Sequence, residues 1–233
     1  MSKAGCTYII RLVTLEYTLE GISPKEGVAI QRELAGQVIT TGRVAHVKYV
    51  AGVDVSFPIG SGEGTAAVVV MSYPGMEIVE IARKTSPVRL PYIPGLLSFR
   101  ELPIILEAFS SLSVEPDLTI VDGQGRAHPR RLGIACHLGL HLDKPVIGCA
   151  KSRLCGEYSE PDTIKGSKSP LLHKGEVIGT VLRTRQNVRP VFVSAGHRIS
   201  LRSSEEWILK TCHKYRLPEP VRMAHMAAGG LLS

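Results

Sequence analysis

No two of the five cysteines, Cys6, Cys136, Cys149, Cys155 and Cys212, stand at CxxC spacing, and their number is odd. That excludes a paired disulfide framework and the usual zinc-ligand patterns. It points to reduced, buried thiols in a cytoplasmic protein. Long apolar runs are missing too. The longest, such as Ala66 to Met71, have the length of a strand, far short of the ~18 residues of a spanning helix, so no membrane association is expected. No basic segment leads into a long apolar stretch at the N-terminus, so no secretory leader is expected. Asparagine is nearly absent: Asn187 stands alone, a composition that fits a heat-tolerant or GC-rich source.

What remains is ordinary globular material. The chain has 233 residues, 44% hydrophobic and 21% charged, enough to bury a sizeable core as one domain spanning 1–233. Its formal charge is +7 and its pI about 9.3. Basic residues crowd Arg126-Ala127-His128-Pro129-Arg130-Arg131 and the stretch from Arg183 to Arg222. Such a surface serves solubility or a polyanionic partner.

Three carboxylates occupy positions where acidic residues are costly. Asp54 lies inside the run Tyr49-Val50-Ala51-Gly52-Val53-Asp54-Val55-Ser56-Phe57. Glu101 follows Leu97-Ser98-Phe99-Arg100. Asp122 ends Leu118-Thr119-Ile120-Val121 and opens Gly123-Gln124-Gly125. A carboxylate at the core end of a strand must be neutralised, hydrogen-bonded or metal-bound. Singly, each has an ordinary reading: a solvent-facing strand residue, a capping-box glutamate, the anchor of an Asp-Gly turn. Together, in a basic protein, they suggest a Mg²⁺ site acting on a phosphodiester, where Arg and Lys hold phosphates and the acids hold metal. Asp54 shares its alternation phase with Gly52 and Ser56, and the small Ala51 and Gly52 suggest that something approaches closely.

The pattern predicts a helix from Ser23-Pro24-Lys25-Glu26, a capping box, with Val28, Ile30, Leu34, Val38 and Ile39 apolar and Gly42 ending it. Three strands follow, around Tyr49 to Phe57, Thr65 to Ser72 and Met76 to Thr85. The last two are joined by Tyr73-Pro74-Gly75-Met76, read as a type II turn. Ser98 is placed to cap the next helix. A buried strand covers Pro116 to Asp122, a helix starts at Pro129, and a second buried strand covers Pro145 to Ala150. The order β-β-β-α-β-α-β implies parallel central strands. Gly156 to Lys174 reads as a surface loop, and Glu176 to Leu182 and Pro190 to Ser194 as strands. Ser203-Ser204-Glu205-Glu206 reads as a capping box, and Pro220 as the start of a last helix.

Four features stand beside the acids. Pro91-Tyr92-Ile93-Pro94 holds an aromatic ring between two prolines, either tucked into the core or exposed as a wedge for a base stack. Gly95, Gly123 and Gly125 bare backbone groups able to read the edge of a flipped base. Lys151, after Val146 to Ala150, can neutralise a transition-state phosphate or simply reach solvent. His128 and His225 gain weight only if the fold brings them to the acids. No serine–histidine–aspartate relay is evident, so a metal-activated water is the natural nucleophile.

Tyr49 to Phe57, Pro91 to Glu101, Asp122 to Gly133 and Gly148-Cys149-Ala150-Lys151-Ser152 together closely resemble the endonuclease V family, the deoxyinosine 3′-endonucleases, from about Ser23 to His225. Gln124 departs from the His or Asn of many members. The resemblance implies a ribonuclease H-like fold, α/β, with a mixed five-stranded sheet flanked by helices. It implies cleavage of the second phosphodiester 3′ to hypoxanthine in DNA, leaving 3′-hydroxyl and 5′-phosphate ends, by a monomer using Mg²⁺ or Mn²⁺. Inosine-containing RNA is the alternative substrate, and a non-catalytic nucleic-acid-binding module the remaining one. By resemblance Asp54 and Asp122 hold metal, Glu101 binds metal or its water, His225 assists and Lys151 steadies the scissile phosphate. Tyr92 is the wedge, with Pro91, Ile93, Pro94, His128 and Arg130 at the DNA. Gly95, Leu97, Gly123, Gly125 and Ile134 line the base pocket.

Overall fold

The computed structural model describes residues 22–58, 60–88 and 90–232; Cys6 and the N-terminal stretch read for a leader lie outside them. The capping box forms as expected. Ser23 Oγ accepts from Glu26 N–H, the Glu26 carboxylate accepts from Ser23 N–H, and α1 runs Pro24–Ala35. It ends earlier than Gly42. Gly36 caps it, and the chain turns away so that Ile39 N–H reaches His197 Nδ1 at 3.2 Å. Gly42, at φ 111°, serves the next turn, where its carbonyl accepts from Ser200 N–H.

Strands β1 (Tyr49–Ser56), β2 (Glu63–Ser72) and β3 (Ile78–Pro87) form an antiparallel meander. The β2–β3 connection is not the expected type II turn. Met76, not Gly75, takes the left-handed conformation at φ 54°. Met76 N–H closes onto Ser72 O at 2.8 Å, making a five-residue loop. Strand β4 (Leu118–Val121) lies parallel to β1, and β5 (Val146–Ala150) parallel to β4. These five strands, in order β3-β2-β1-β4-β5, make the expected mixed unit. Beyond it β8 (Val191–His197), β7 (Glu176–Leu182) and β6 (Lys168–His173) continue antiparallel, giving eight strands in all. Strand β6 falls inside the stretch read as a loop. Its polar residues and Pro170 suit an outer strand, and Leu171 alone is buried there.

Helices cover both faces. Ala51 and Val53 of β1 pack with Leu102 and Phe109 of α2 (Leu97–Ser110) and Leu138 of α3 (Ile134–Leu142). Val50, on the opposite face, packs with Trp207 and Ile208 of α4 (Leu201–Thr211) and Val221 of α5 (Glu219–Ala228). Helix α1 closes over α2 and α3 through Ile30, Leu34, Phe99 and Leu140. No described helix is long and apolar enough to cross a membrane, and the four described cysteines are free thiols.

Three helix starts differ from expectation. Ser98 lies inside α2 and faces His137 Nδ1 at 3.2 Å. Pro129 does not open α3. Residues 129–133 instead wrap the loop after β4, with Arg131 at φ 61°, Gly133 N–H on Gly125 O, and Gly133 as the N-cap. Helix α4 is capped by Ser200, which accepts from Ser203 N–H, while Glu205 turns inward to Thr180 and Lys168.

Candidate metal centre and adjoining cavity

The register of the two central parallel strands pairs Val53 with Val121, so the next residues, Asp54 and Asp122, emerge side by side at one sheet edge. Asp122 N–H donates to Val53 O at 3.0 Å, fixing that adjacency. This is the carboxyl end of parallel strands, where open α/β sheets place their sites. Asp54 accepts from Val55 N–H at 2.9 Å and meets His225 Nδ1 at 2.6 Å. Asp122 pairs with Lys151 Nζ at 2.5 Å. Ligand atoms of Asp54, Asp122 and His225 lie within 4.8 Å of one another.

Glu101, in the first turns of α2, stands outside that trio but within its field. Burial first, then the charges of Asp54 and Asp122, push its carboxyl up to about 8. Burial and Asp122 likewise raise Asp54, against the opposing pull of His225 and Lys151. Like charges held this close are relieved by a cation. A donor set of carboxylate oxygens with one imidazole fits a divalent ion. Two of the three ordinary readings of these acids fail: Asp54 faces α5, not solvent, and Glu101 caps nothing.

Beside the acids opens a cavity of about 370 Å³. Tyr92, Gly95 and Leu97, the stretch Asp122 to Gln124, Ile134, and Lys151 to Leu154 are among the residues that line it. Gly123 must lack a side chain, because a β-carbon there would meet Ile134 Cγ2 at 2.5 Å. Tyr92 is 64% exposed, so it is no core residue, whereas Ile93 packs inward beside α1. Pro91 and Pro94 are exposed on either side.

The expected pocket residues Gly95, Leu97, Gly123 and Ile134 all line this cavity. Gly125 lies behind it, with its N–H on Ser194 Oγ at 2.8 Å and the Ala195 carbonyl pressed against it. His128 lines the cavity but is buried. Burial and Arg130 push it down to about 4, and it is held between Gly95 O and Arg130 N–H. Arg130 is turned inward onto Gln31 and Gly95, and Arg131 onto Glu176 and His173. The basic run read as a phosphate-binding surface is thus largely engaged within the protein.

Sequence reasoning missed Gln31, Ser152, Arg153 and Leu154, which also line the cavity. It missed Arg216 too, whose guanidinium holds the Lys151 and Pro190 carbonyls at 2.6 and 2.7 Å. Gln31 sits on the same helical side as Leu34, which was the available signal. Ser152, Arg153 and Leu154 follow Lys151 directly and carried none, and Arg216 was one basic residue among many in the stretch from Arg183 to Arg222.

A family model described as Endonuclease V matches residues 32–226. Endonuclease V of Dehalococcoides mccartyi strain BAV1 is 53% identical over 211 residues, covering 91% of this chain and 95% of that protein. The crystal structure of Endonuclease V from Streptomyces avermitilis is 39% identical, with a TM-score of 0.85 over 89% of this chain and 92% of that one. Ciona intestinalis Endonuclease V, solved with a 23mer DNA containing an inosine followed by a ribo-adenosine, is 29% identical. Its TM-score is 0.79, over 90% of this chain and 98% of that one.

Proposed function

The chain belongs to the endonuclease V family, and from that premise we propose that it is a DNA repair endonuclease acting on deaminated bases, chiefly deoxyinosine. It hydrolyses the second phosphodiester 3′ to the lesion and leaves 3′-hydroxyl and 5′-phosphate ends. The observation that carries this reading is the adjacency of the Asp54–Asp122 pair to a cavity of about 370 Å³, large enough for one base. Lesion recognition and hydrolysis thereby occupy neighbouring compartments.

In this reading Asp54 and Asp122 would hold a divalent ion, and Glu101 would bind it or its water. A bound Mg²⁺, which Mn²⁺ can replace, supplies water activation and charge neutralisation at the scissile phosphate. His225 orients the Asp54 carboxylate through its 2.6 Å contact. Lys151, once the phosphate arrives, exchanges its pairing with Asp122 for the phosphate oxygens. Tyr92 fills the gap left by the extruded base. Gly95, Leu97, Gly123 and Ile134 enclose the base, and a rim of backbone groups reads its hydrogen-bonding edge without charged side chains. The protein works as a monomer in the cytoplasm, in one domain.

Matched DNA and RNA oligomers, each carrying one inosine, incubated with and without Mg²⁺, test the reading. Mg²⁺-dependent cleavage one nucleotide beyond the inosine on DNA is expected. Exclusive cleavage of the RNA would replace it with an inosine-specific endoribonuclease, and binding without cleavage would leave a nucleic-acid-binding module.

A further inference from the structure

One buried side chain has no part in the hydrolysis. Gln31, on α1, is wholly inaccessible to solvent and yet lines the cavity. A buried amide must find protein partners for both its oxygen and its nitrogen. Gln31 finds them far away in sequence. Its Nε2 donates to the Gly95 carbonyl at 2.9 Å and, more weakly, to that of Leu132 at 3.3 Å. Its Oε1 accepts from Arg130 Nε at 2.5 Å. Arg130 Nη2 donates to the same Gly95 carbonyl at 2.7 Å, and His128 Nε2 stands 3.1 Å from it. Since His128 Nδ1 accepts from Arg130 N–H, Nε2 carries the proton and is the third donor. Three donors meet on one oxygen that offers two lone pairs.

The other end of that peptide is fixed as well, because Leu96 N–H donates to Ile93 O at 2.9 Å. Gly95 itself sits at φ 79°, where a residue without a side chain turns most freely. A β-carbon there would stand 2.7 Å from Arg130 Nη2. The conformation therefore needs glycine, and glycine needs outside restraint to stay in one orientation.

Hypoxanthine and adenine differ in which ring positions donate and which accept. A wall of backbone groups can tell them apart only while its N–H and C=O groups keep their directions. We propose, resting on the endonuclease reading above, that Gln31 is a positioning residue for lesion discrimination. With Arg130 and His128 it holds the Gly95 carbonyl turned away from the base, so that the wall cannot swing an extra acceptor into the cavity and keeps a single hydrogen-bonding pattern. Helix α1 is thereby part of the recognition apparatus, although it carries no group that touches the phosphodiester.

The test compares cleavage of a single-stranded oligomer holding inosine with the same oligomer holding adenosine. Gln31→Leu preserves bulk and removes both hydrogen-bonding ends. It should lower the inosine-over-adenosine preference in kcat/KM by about tenfold or more, with the change falling on KM for inosine more than on kcat. Arg130→Gln acts on the same carbonyl and should lower the preference similarly. The double variant should lose little beyond either single one, and Arg130→Gln keeps the test decisive if Gln31→Leu does not fold. A folded Gln31→Leu protein with unchanged preference would overturn the proposal, as would losses that multiply in the double variant. A parent protein that shows no preference at all would sink the endonuclease reading and the clamp together. Preference in the parent that Gln31 does not influence would sink the clamp alone.

Discussion

Gly52 lies so close beneath Pro220 that a β-carbon on Gly52 would overlap the Pro220 carbonyl. Gly52 and Asp54 share one face of β1, and Pro220 opens the helix that carries His225. The missing side chain at 52 therefore sets the height at which His225 meets Asp54. Gly52→Ala should cost about 1–3 kcal/mol of stability through overpacking. It should also reduce the cleavage rate to about the level of His225→Ala, because a displaced helix breaks the same 2.6 Å contact. Rates of the two variants at a temperature where both are folded check this. Gly52→Ala cutting at the parental rate would show that α5 can move without affecting Asp54.

Asp54→Ala and Asp122→Ala should each cut at less than about one-thousandth of the parental rate, since each removes several kcal/mol of charge stabilisation that no neighbour can supply. Both variants should stay folded, because each also relieves a crowded pair of like charges, and both should still bind inosine-containing DNA. Circular dichroism, binding and cleavage measured on the same preparations decide it. Normal cutting in Mg²⁺ would remove these residues from the metal site.

Tyr92→Ala should slow cleavage of duplex substrate far more than of single strands, because only the duplex requires a base to be unstacked, at a few kcal/mol. The ring is 64% exposed, so the change in stability should stay within about 0.5 kcal/mol. Equal losses on both substrates with a lowered melting temperature would return Tyr92 to the core.

Arg131 contacts Glu176 at 2.7 Å and His173 at 3.1 Å. Arg131→Ala should therefore cost roughly 1 kcal/mol of stability and leave the slope of log affinity against log salt unchanged. Loss of a phosphate contact would instead reduce that slope by about one unit. Titration of a DNA oligomer at several salt concentrations distinguishes the two.

His137 and His141, one turn apart on α3, are buried, and His137 Nε2 and both ring nitrogens of His141 find no partner. Burial pushes His141 down to about 4. Burial and the neighbouring His141 push His137 down to about 3. In the unfolded chain each ring takes a proton near 6.5. The unfolded state thus binds more protons between these values, and stability present above pH 6.5 is lost as pH falls toward 4. His141→Leu should make that loss shallower by up to about 1.4 kcal/mol per pH unit. Urea denaturation at pH 7, 6 and 5 reads the slope, and an unchanged slope would place His141's titration outside the folding equilibrium.

How much of this was legible depended on whether the deciding contact was local. Ser23 and Glu26 cap a helix with atoms three residues apart, and the four letters alone suffice. Asp54 and Gly52 share a face because strands alternate, so the approach of another element could be anticipated, though not which one. Ser98, Pro129 and Ser203 are good helix openers by residue type, but His137, the loop after β4 and Ser200 respectively make better use of those stretches. Gln31 reaches Gly95 across 64 positions, and Arg130 reaches Gln31 across 99. A polar letter on a helix and an arginine in a basic run look like surface until the chain is folded. Strands β7 and β8 could be read as strands but not as an extension of the sheet, because pairing order leaves no mark in any one strand, and β6 escaped altogether because its polar residues read as a loop.

Strand β8 runs behind the loop that carries Asp122, taking Gly125 N–H on Ser194 Oγ and Arg126 N–H on Ala195 O at 2.9 Å. That bracing divides the site by how easily it opens. The Asp122 loop is stitched to the middle of an eight-stranded sheet, so its amides can exchange with solvent only through openings that approach global unfolding. The segment from Leu90 to Leu96 is held instead by the packing of Leu90, Ile93 and Leu96 against α1 and by the donors on the Gly95 carbonyl, without the strand bracing that holds the Asp122 loop. On the reading proposed above, the wall that meets the base is thus set by side chains reaching across from α1 and the Arg130 turn, while the acids are set by the sheet itself.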